Sequence, residues 1–533
     1  MKAHKSLAYL IASFAPLSLI ACQTSTEQPN RIAADYLIEN GVVYDGSGAA
    51  PRVADIAVRF DRIVFIGDAT DDQFAEAKRI DASGLVVAPG FIDPHTHADD
   101  QLTSGNPEQR QNKAFAFQGV TTVLVGNDGF GSTEISRMAT QARHDAVGTN
   151  VAYLAGFGYI RKSVIGDDDR APTKAESSRM GKMMTQAMCE GAVGLSAGLY
   201  YTPQNFARTA EVVELAKIAG EKDGYYDTHL RDESSYNIGL IGAVNEAIDI
   251  GTQSGTAVHI SHIKALGPAV WGQSSQIIAL INSAREKGQE ITADQYPWAA
   301  SGTRISNALV PRWALDGGLA GLRERLENAD TFDRIKSEMA ANMERRGGAD
   351  KLLITGGLGD TEIEIGQTLA DLAARSRSDP LDVAIDILKT GDARVASFNM
   401  NADDITAFAR QDWVVTGSDG STGHPRKYAS FPKAYRDFVV DGKILSLSRF
   451  IRRSSGQTAD IVGLKDRGYL KAGMAADIVV FDSESFAPRA TYEQSRLLST
   501  GVRYLFVNGQ PVISGGQSTG ALPGRPLLKE TQC

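Results

Sequence analysis

The stretch VTTVLVGNDGFGS, residues 120–132, is an apolar and β-branched run that ends in Asp128 between glycines. A continuous apolar run of this length is typical of a strand buried on both faces, as in a parallel sheet. Asn, Asp and Gly are ordinary turn residues, so the ending could be a solvated turn. It could also be a functional site at the carboxyl end of a barrel strand, and the rest of the chain must decide.

Similar runs recur through the middle of the chain and alternate with helical patterns. The eight candidate strands lie in GFIDPHTH, VTTVLVG, VAYLAGF, AVGLSAG, YYDTHL, TAVHISHI, EITADQYPW and DWVVTGSDG. Eight strand-to-loop transitions in a βα series predict an α/β fold, a (β/α)8 TIM-type barrel, over residues 89–460. An open doubly wound sheet is disfavoured because no GxGxxG or phosphate loop follows the first strand. A long insertion at about residues 299–399 is a candidate lid.

The two ends of the chain share a different pattern. Residues 33–88 and 461–533 contain short β-branched runs, broken by pairs such as Asn-Gly and Asp-Gly that mark turns. These segments predict a small β-sandwich domain that is formed from both chain ends.

A basic start and an apolar run over residues 7–21 precede Cys22. The run is short for a membrane span and typical of a signal peptide, and its end resembles the lipobox of bacterial lipoproteins. Residues 1–22 are therefore predicted to be a lipoprotein signal peptide, with lipidation at Cys22, and residues 23–32 a polar tether. An ordinary cleaved signal is the alternative. The expected location is the bacterial periplasm, and Gln23 after the cysteine favours the outer membrane.

Charge and cysteine content limit the partners and the covalent cross-links that are expected. Lys and Arg total 55 against 64 Asp and Glu, and no basic run occurs, so no nucleic-acid partner is expected. Beyond Cys22 only Cys189 and Cys533 remain, which does not predict a disulfide framework. Cys189 lies in a helical pattern and is expected to be a buried thiol.

Four of the eight histidines, His95, His97, His229 and His262, fall at or beside the carboxyl ends of predicted strands. Active sites of β/α barrels are built at this edge. His95 and His97 are two residues apart, so both point to the same side of an extended segment. A single histidine is more often structural, but converging neutral imidazoles predict a divalent metal site.

Two acids share this predicted edge: Asp128 after the second strand and Asp419 after the eighth. Either one alone would be interpreted as a turn residue. Beside a metal, a carboxylate can accept a proton from the attacking water and deliver it to a leaving amine.

Five segments occur in the order GFIDPHTHAD, THLRDE, SHIKALG, DQYPW and TGSDG. Together they resemble the corresponding segments of the amidohydrolase superfamily. The resemblance is most specific to the D-aminoacylases, the N-acyl-D-amino-acid deacylases, and covers nearly all of the chain from about Leu37. GLSAGLYYTP and HPRKYASFPKAYR add to its specificity.

The resemblance implies a role for each matching residue of the centre. His229 and His262 would hold one tightly bound zinc, while His95 and His97 would face a weaker second divalent metal position. Asp419 would activate the hydrolytic water as a general base and then, as a general acid, protonate the departing amino group.

The resemblance also implies a site for the substrate carboxylate. Lys264, Tyr296 and Arg426 match the family residues that bind this group, and Ser301 is expected to join them. A cationic fork with hydroxyls suits a free carboxylate, which Arg can bind in a bidentate manner. The alternatives to a substrate role are that Lys264 and Arg426 are solvated and that Tyr296 packs in the core.

Two positions depart from the family pattern. Asp128 stands where the family usually has a zinc-binding cysteine, and Phe157 follows Gly156 where the family often has histidine. Aspartate keeps a negative charge but is a harder oxygen ligand, and it could bridge two metals. The sequence thus leaves metal identity and metal number open.

The expected activity is metal-dependent hydrolysis of small N-acyl-D-amino acids, a linear amide other than a peptide bond, to a carboxylate and a free D-amino acid. One alternative is another amidohydrolase reaction, on a cyclic amide or a dipeptide. A second is a lipoprotein that binds a ligand without catalysis, which would predict loss of the metal ligands or of Asp419.

Overall fold

A computed structural model describes residues 1–2, 4–6, 8, 31–359 and 363–533. Cys22, with most of the predicted signal peptide and tether, lies outside the described residues. None of the helices in the described residues combines the length and the apolar character that crossing a membrane requires.

Twenty strands occur within residues 31–359 and 363–533. In chain order they are β1 Tyr36–Val43, β2 Arg52–Arg59, β3 Arg62–Gly67, β4 Lys78–Asp81, β5 Val86–Pro89, β6 Phe91–Asp93, β7 Val120–Val125, β8 Asn150–Gly156, β9 Gly194–Gly198, β10 Tyr225–His229, β11 Val258–Ile260, β12 Ile291–Gln295, β13 Ala300–Arg304, β14 Leu352–Gly359, β15 Gly391–Phe398, β16 Val414–Thr416, β17 Ile478–Phe481, β18 Val502–Val507, β19 Gln510–Ser514 and β20 Gln517–Ser518.

Eighteen α-helices occur in the same described ranges. They are α1 Asp99–Leu102, α2 Pro107–Arg110, α3 Lys113–Ala116, α4 Ile135–Asp145, α5 Phe157–Ile165, α6 Lys174–Cys189, α7 Thr209–Gly220, α8 Gly239–Ser254, α9 Ser274–Glu286, α10 Ile305–Leu309, α11 Gly318–Glu327, α12 Ala329–Arg345, α13 Leu369–Ser376, α14 Pro380–Thr390, α15 Ala402–Ala409, α16 Arg426–Ala434, α17 Leu447–Ser454 and α18 Gly456–Val462.

The predicted barrel is confirmed. Strands β6 to β12 and β16 form one eight-stranded parallel sheet in the order β16-β12-β11-β10-β9-β8-β7-β6. The segments after its first and last strands close the ring, because Thr96 forms a parallel bridge with Gly420 and the Asp419 N–H donates to the His95 carbonyl oxygen at 2.9 Å.

Burial on both faces explains the continuous apolar runs of the barrel strands. All six residues of β7 are buried. Val123 and Val125 belong to one hydrophobic cluster, while Leu124 between them belongs to another. Alternate side chains of a strand point to opposite faces, and here both faces are covered.

The two chain ends form a small β domain together, as predicted. Its nine-stranded sheet has the order β20-β19-β18-β17-β5-β1-β2-β3, with β4 paired to β1. The halves meet where β17 runs antiparallel to β5 and Ile478 pairs with Pro89. Side chains of both halves, including Ile38, Val87 and Phe506, share one core.

Between β12 and β16 the chain forms a separate layer, called the insertion below and extending from β13 to β15. Its three strands form an antiparallel sheet in the order β13-β15-β14. A hydrophobic cluster of its own joins the sheet to helices α10 to α14. Gly302 and Thr303 of β13 line the cleft above the barrel, which fixes the insertion over the site.

The expectation of a free buried thiol at Cys189 is wrong, because Cys189 and Cys533 form a disulfide. The C-terminal tail runs along the barrel to reach it: the Leu527 N–H donates to the Val151 carbonyl at 2.8 Å, and the Lys529 N–H to the Gly191 carbonyl at 3.0 Å. The two cysteines are 344 positions apart in the sequence, so no local signal predicts this pairing.

Candidate metal centre and active site

The histidines and acids of the predicted edge meet at the carboxyl ends of the barrel strands. A cleft of about 470 Å³ opens there, and His97, Asp128, Asp419 and Arg426 line it. The ring of parallel strands places these side chains together, although they are far apart in the sequence.

The turn that carries Asp128 is buried and held in a left-handed conformation. Asp128 has φ 58° and ψ 19°, and Gly126 and Gly129 on either side have φ 88° and 76°. Aspartate is among the few residues enriched in this region. A Cβ atom on Gly126 would lie 2.4 Å from the Leu154 carbonyl oxygen. Asp128 is only 3% exposed, so its turn directs the carboxylate into the site and not into solvent.

The Asp128 carboxylate lies at the centre of four imidazoles. Its Oδ1 is 3.7 Å from His229 Nδ1 and 3.5 Å from His262 Nε2. The same oxygen is 3.6 Å from His95 Nε2, while Oδ2 is 3.5 Å from His97 Nε2. Two groups suited to a metal ion therefore share Asp128: one with His95 and His97, the other with His229 and His262.

The donor atoms fit a metal ion. Ligands placed 2.0–2.1 Å from a tetrahedral zinc lie roughly 3.4 Å apart, close to the separations around Asp128. Within the described residues, Asp128 Oδ1, His95 Nε2 and His229 Nε2 are buried without a hydrogen-bond partner. Unpaired buried polar atoms are costly, and a cation would satisfy Asp128 Oδ1 and His95 Nε2 together.

Charge in the centre also favours a cation. Burial holds the pKa of His229 at about 3, so its imidazole is neutral and free to act as a ligand. Burial also opposes protonation of His95, but Asp128 and then Asp419 raise the pKa of that imidazole to about 10. This cavity thus holds enough negative charge to attract a proton or, in its place, a metal ion.

Asp419 lies beside the two metal groups and reaches the cleft. Its Oδ1 is 3.2 Å from His97 Nε2 and 2.8 Å from Arg426 Nη2. Although burial alone would raise it, Arg426 and His262 hold the pKa of Asp419 well below its usual value. The carboxylate is therefore ionised.

Glu233 is a buried acid of the site that the sequence analysis did not single out. Its Oε1 lies 3.2 Å from His262 Nδ1, its Oε2 lies 3.6 Å from His229 Nε2, and Lys264 Nζ donates to it. A carboxylate behind two imidazoles fixes their orientation toward a metal. The signal was present in THLRDE, where an acid follows four residues after the strand-end His229.

A second acid layer lies deeper in the lumen. Asp294 Oδ2 is 4.0 Å from His95 Nδ1 and 3.2 Å from His259 Nε2. His259 also contacts Thr292 Oγ1 at 2.8 Å, so both of its ring nitrogens are engaged below the rim.

The four predicted substrate-binding residues gather around a smaller pocket beside the metal groups. The Arg426 guanidinium lies 4.9 Å from the centre of the Tyr296 ring. Arg426 Nε and Nη1 are buried and unpartnered within the described residues. Lys264 Nζ is already engaged, 2.7 Å from His262 Nδ1, and Ser301 Oγ lies 3.3 Å from the Asn399 side chain. Their substrate role stays a prediction.

A sequence model of the Amidohydrolase family matches residues 78–260 and 328–513. The chain belongs to this family. It is 31% identical over 522 residues to a D-aminoacylase of Alcaligenes xylosoxydans xylosoxydans, a match that covers 93% of this chain and 98% of that protein. An N-acyl-D-glutamate deacylase of the same organism is 30% identical, with 93% and 97% covered.

Among solved structures, this amidohydrolase is similar to N-acyl-D-glutamate deacylase from Bordetella bronchiseptica. That crystal structure contains zinc and a phosphonate inhibitor that mimics the tetrahedral intermediate of the reaction. The TM-score is 0.79 at 31% identity, and the match covers 93% of this chain and 100% of that one. The resemblance that the sequence motifs indicated is thereby confirmed.

Proposed function

We propose that this amidohydrolase is a metal-dependent hydrolase of N-acyl-D-amino acids. It cleaves a linear amide other than a peptide bond and releases a carboxylate and a free D-amino acid. One observation carries the proposal: four imidazoles converge on Asp128 beside Asp419, in a chain whose relatives include deacylases of such substrates.

Zinc is the metal that the proposal assigns to this centre. His229, His262 and Asp128 would hold one ion, and His95 and His97 would hold a second divalent ion that shares Asp128. When bound there, zinc polarises the acyl carbonyl and lowers the pKa of the attacking water.

The protein's own groups supply proton transfer and orientation. Ionised Asp419 accepts the proton of the attacking water and later delivers it to the departing nitrogen. Arg426, at 2.8 Å, holds the Asp419 carboxylate in place. The unpartnered Nε and Nη1 of Arg426 are positioned to receive the substrate's α-carboxylate, with Tyr296, Ser301 and Lys264 around the same pocket.

A substrate panel, with metal analysis of the purified protein, tests the proposed function. N-acetyl-D-amino acids are compared with their L forms, with hydantoins and with dipeptides. We expect hydrolysis of the N-acetyl-D forms by protein that contains zinc. Faster hydrolysis of hydantoins or dipeptides would favour another amidohydrolase reaction. Absence of both metal and hydrolysis would favour a ligand-binding protein.

We also propose that the protein is exported, lipid-anchored in the periplasm and held at the outer membrane through Cys22. The disulfide between Cys189 and Cys533 supports export, because disulfides persist in oxidising compartments.

Replacing the lipidated cysteine tests this location. We expect Cys22→Ser to move the protein from the membrane fraction to the soluble fraction, because a lipid chain can no longer be attached. Cys189→Ser is the matched control and should stay in the membrane fraction. Equal distribution of the wild type and Cys22→Ser would contradict the anchor.

A further inference from the structure

Two arginines of the insertion stand directly opposite each other above the metal centre. Arg304 at the end of β13 pairs with Arg394 of β15 across the antiparallel ladder. Like charges directly opposite each other destabilise a strand pair. Both side chains also line the cleft that contains His97, Asp128 and Asp419. The arrangement thus places repulsion at the site, where a ligand could relieve it.

Neither guanidinium forms an ion pair within 4.0 Å in the part of the chain that the structure describes. Their backbones belong to the β13–β15 ladder, but neither side chain forms a hydrogen bond within those residues. Burial, and then Arg304, lower the pKa of Arg394. The neighbouring Asp392 raises the pKa of Arg394, but it forms no ion pair with it, and its two carboxylate oxygens accept hydrogen bonds from the N–H and the hydroxyl of Ser306.

Two further acids, Asp99 and Asp100, line the same cleft. Asp100 faces Arg394 closely enough to raise its pKa. No ion pair within 4.0 Å joins either acid to an arginine of the pair among the described residues. The two arginines therefore keep hydrogen-bond donors that are free to bind an anion.

The geometry of β13 directs the pair toward the reacting groups. A Cβ atom on Gly302 would lie 3.0 Å from Arg426 Nη2, so this face of β13 is turned to Arg426. Arg304 is two residues further along and shares that face. Arg394, directly opposite Arg304, lies on the same face of the sheet. A ligand bound to Arg426 thus has the arginine pair further along the cleft wall.

We propose that Arg304 and Arg394 form a second anion site, and that the preferred substrates carry a second negative charge besides the α-carboxylate. This inference rests on the proposed function. The charged group is a carboxylate, either on the amino-acid side chain or at the far end of the acyl group. Two guanidinium groups can bind one carboxylate through charge-assisted, bidentate hydrogen bonds.

Matched substrate pairs test the second charge and its position. N-acetyl-D-glutamate is compared with N-acetyl-D-glutamine for a charge on the side chain, and N-succinyl-D-leucine with N-butyryl-D-leucine for a charge on the acyl group. We expect kcat/KM to favour the charged member of one pair by about 10- to 100-fold. The double variant Arg304→Gln/Arg394→Gln should lose this preference and hydrolyse the neutral members within about threefold of the wild type.

Arg377→Gln provides the control, because Arg377 is exposed in the same insertion and lies outside the cleft. It should keep the wild-type preference. Calorimetric titration measures binding of the same substrate pairs to the wild type and to the double variant. It tests the anion site separately from hydrolysis. Charge-dependent binding without any hydrolysis would overturn the proposed function and keep the anion site. Hydrolysis or binding without charge preference, or a preference that survives in the double variant, would overturn the anion site.

Discussion

Asp419→Asn should reduce kcat on the best N-acyl-D-amino acid by about 10²- to 10⁴-fold, the range associated with general acid–base catalysis. The amide has nearly the same size and can still hydrogen-bond Arg426, which lies 2.8 Å from the carboxylate in the native protein. It cannot accept the proton of the attacking water. The effect should appear in kcat at saturating substrate.

Metal content distinguishes loss of proton transfer from loss of the centre. Asp419 belongs to neither of the two groups that share Asp128, so the variant should keep close to the wild-type amount of zinc per chain. Asp386→Asn is a suitable control, because this acid belongs to the insertion and its side chain is 72% exposed. An Asp419→Asn variant that holds zinc and turns over normally would disprove the assigned role.

The barrel could be predicted because its signals are local. Each barrel strand is covered on both faces, so each run is apolar and ends in polar residues at one edge of the ring. The histidines and acids at these ends were recognisable for the same reason. His229, for example, is the last residue of β10, and Asp128 comes directly after Gly126-Asn127 at the end of β7.

The features that were missed depend on contacts between distant segments. Glu233 follows His229 closely in THLRDE, but its contacts depend on His262 and Lys264, which come after β11. Arg304 and Arg394 are 90 positions apart in the sequence, and only the pairing of β13 with β15 places them opposite each other. The Cys189–Cys533 disulfide joins a helix end to the chain terminus, and no sequence pattern links the two.

Burial excludes a solvated turn at Asp128. The residue does occupy a turn, with the left-handed backbone that turn residues tolerate. A solvated turn would leave the carboxylate exposed, whereas this one lies at 3.5–3.7 Å from four imidazole nitrogens. The strained backbone aims the carboxylate at the four imidazoles, and strain of this kind is common at functional sites.

Loss of the shared carboxylate should therefore weaken both metal positions. Asp128→Ala is expected to lower metal affinity by at least about 100-fold, since even indirect partners of metal ligands cost 10- to 100-fold. Alanine at φ 58° adds strain of about 1 kcal/mol. Asp128→Asn, which tolerates this backbone, is therefore the companion variant and should also lose affinity. Metal per chain after dialysis against a chelator-buffered zinc series measures the effect.

Asp128→Cys addresses the identity of the metal. A thiolate is a softer ligand than a carboxylate, so the variant should bind zinc in preference to manganese more strongly than the wild type does. Competition between equimolar zinc and manganese, read as the metal ratio bound per chain, measures this shift. Asp386→Ala and Asp386→Cys are the surface controls and should match the wild type. If the Asp128 variants also bound both metals as the wild type does, Asp128 would be only a turn residue, and the four imidazoles would have to hold the metal without it.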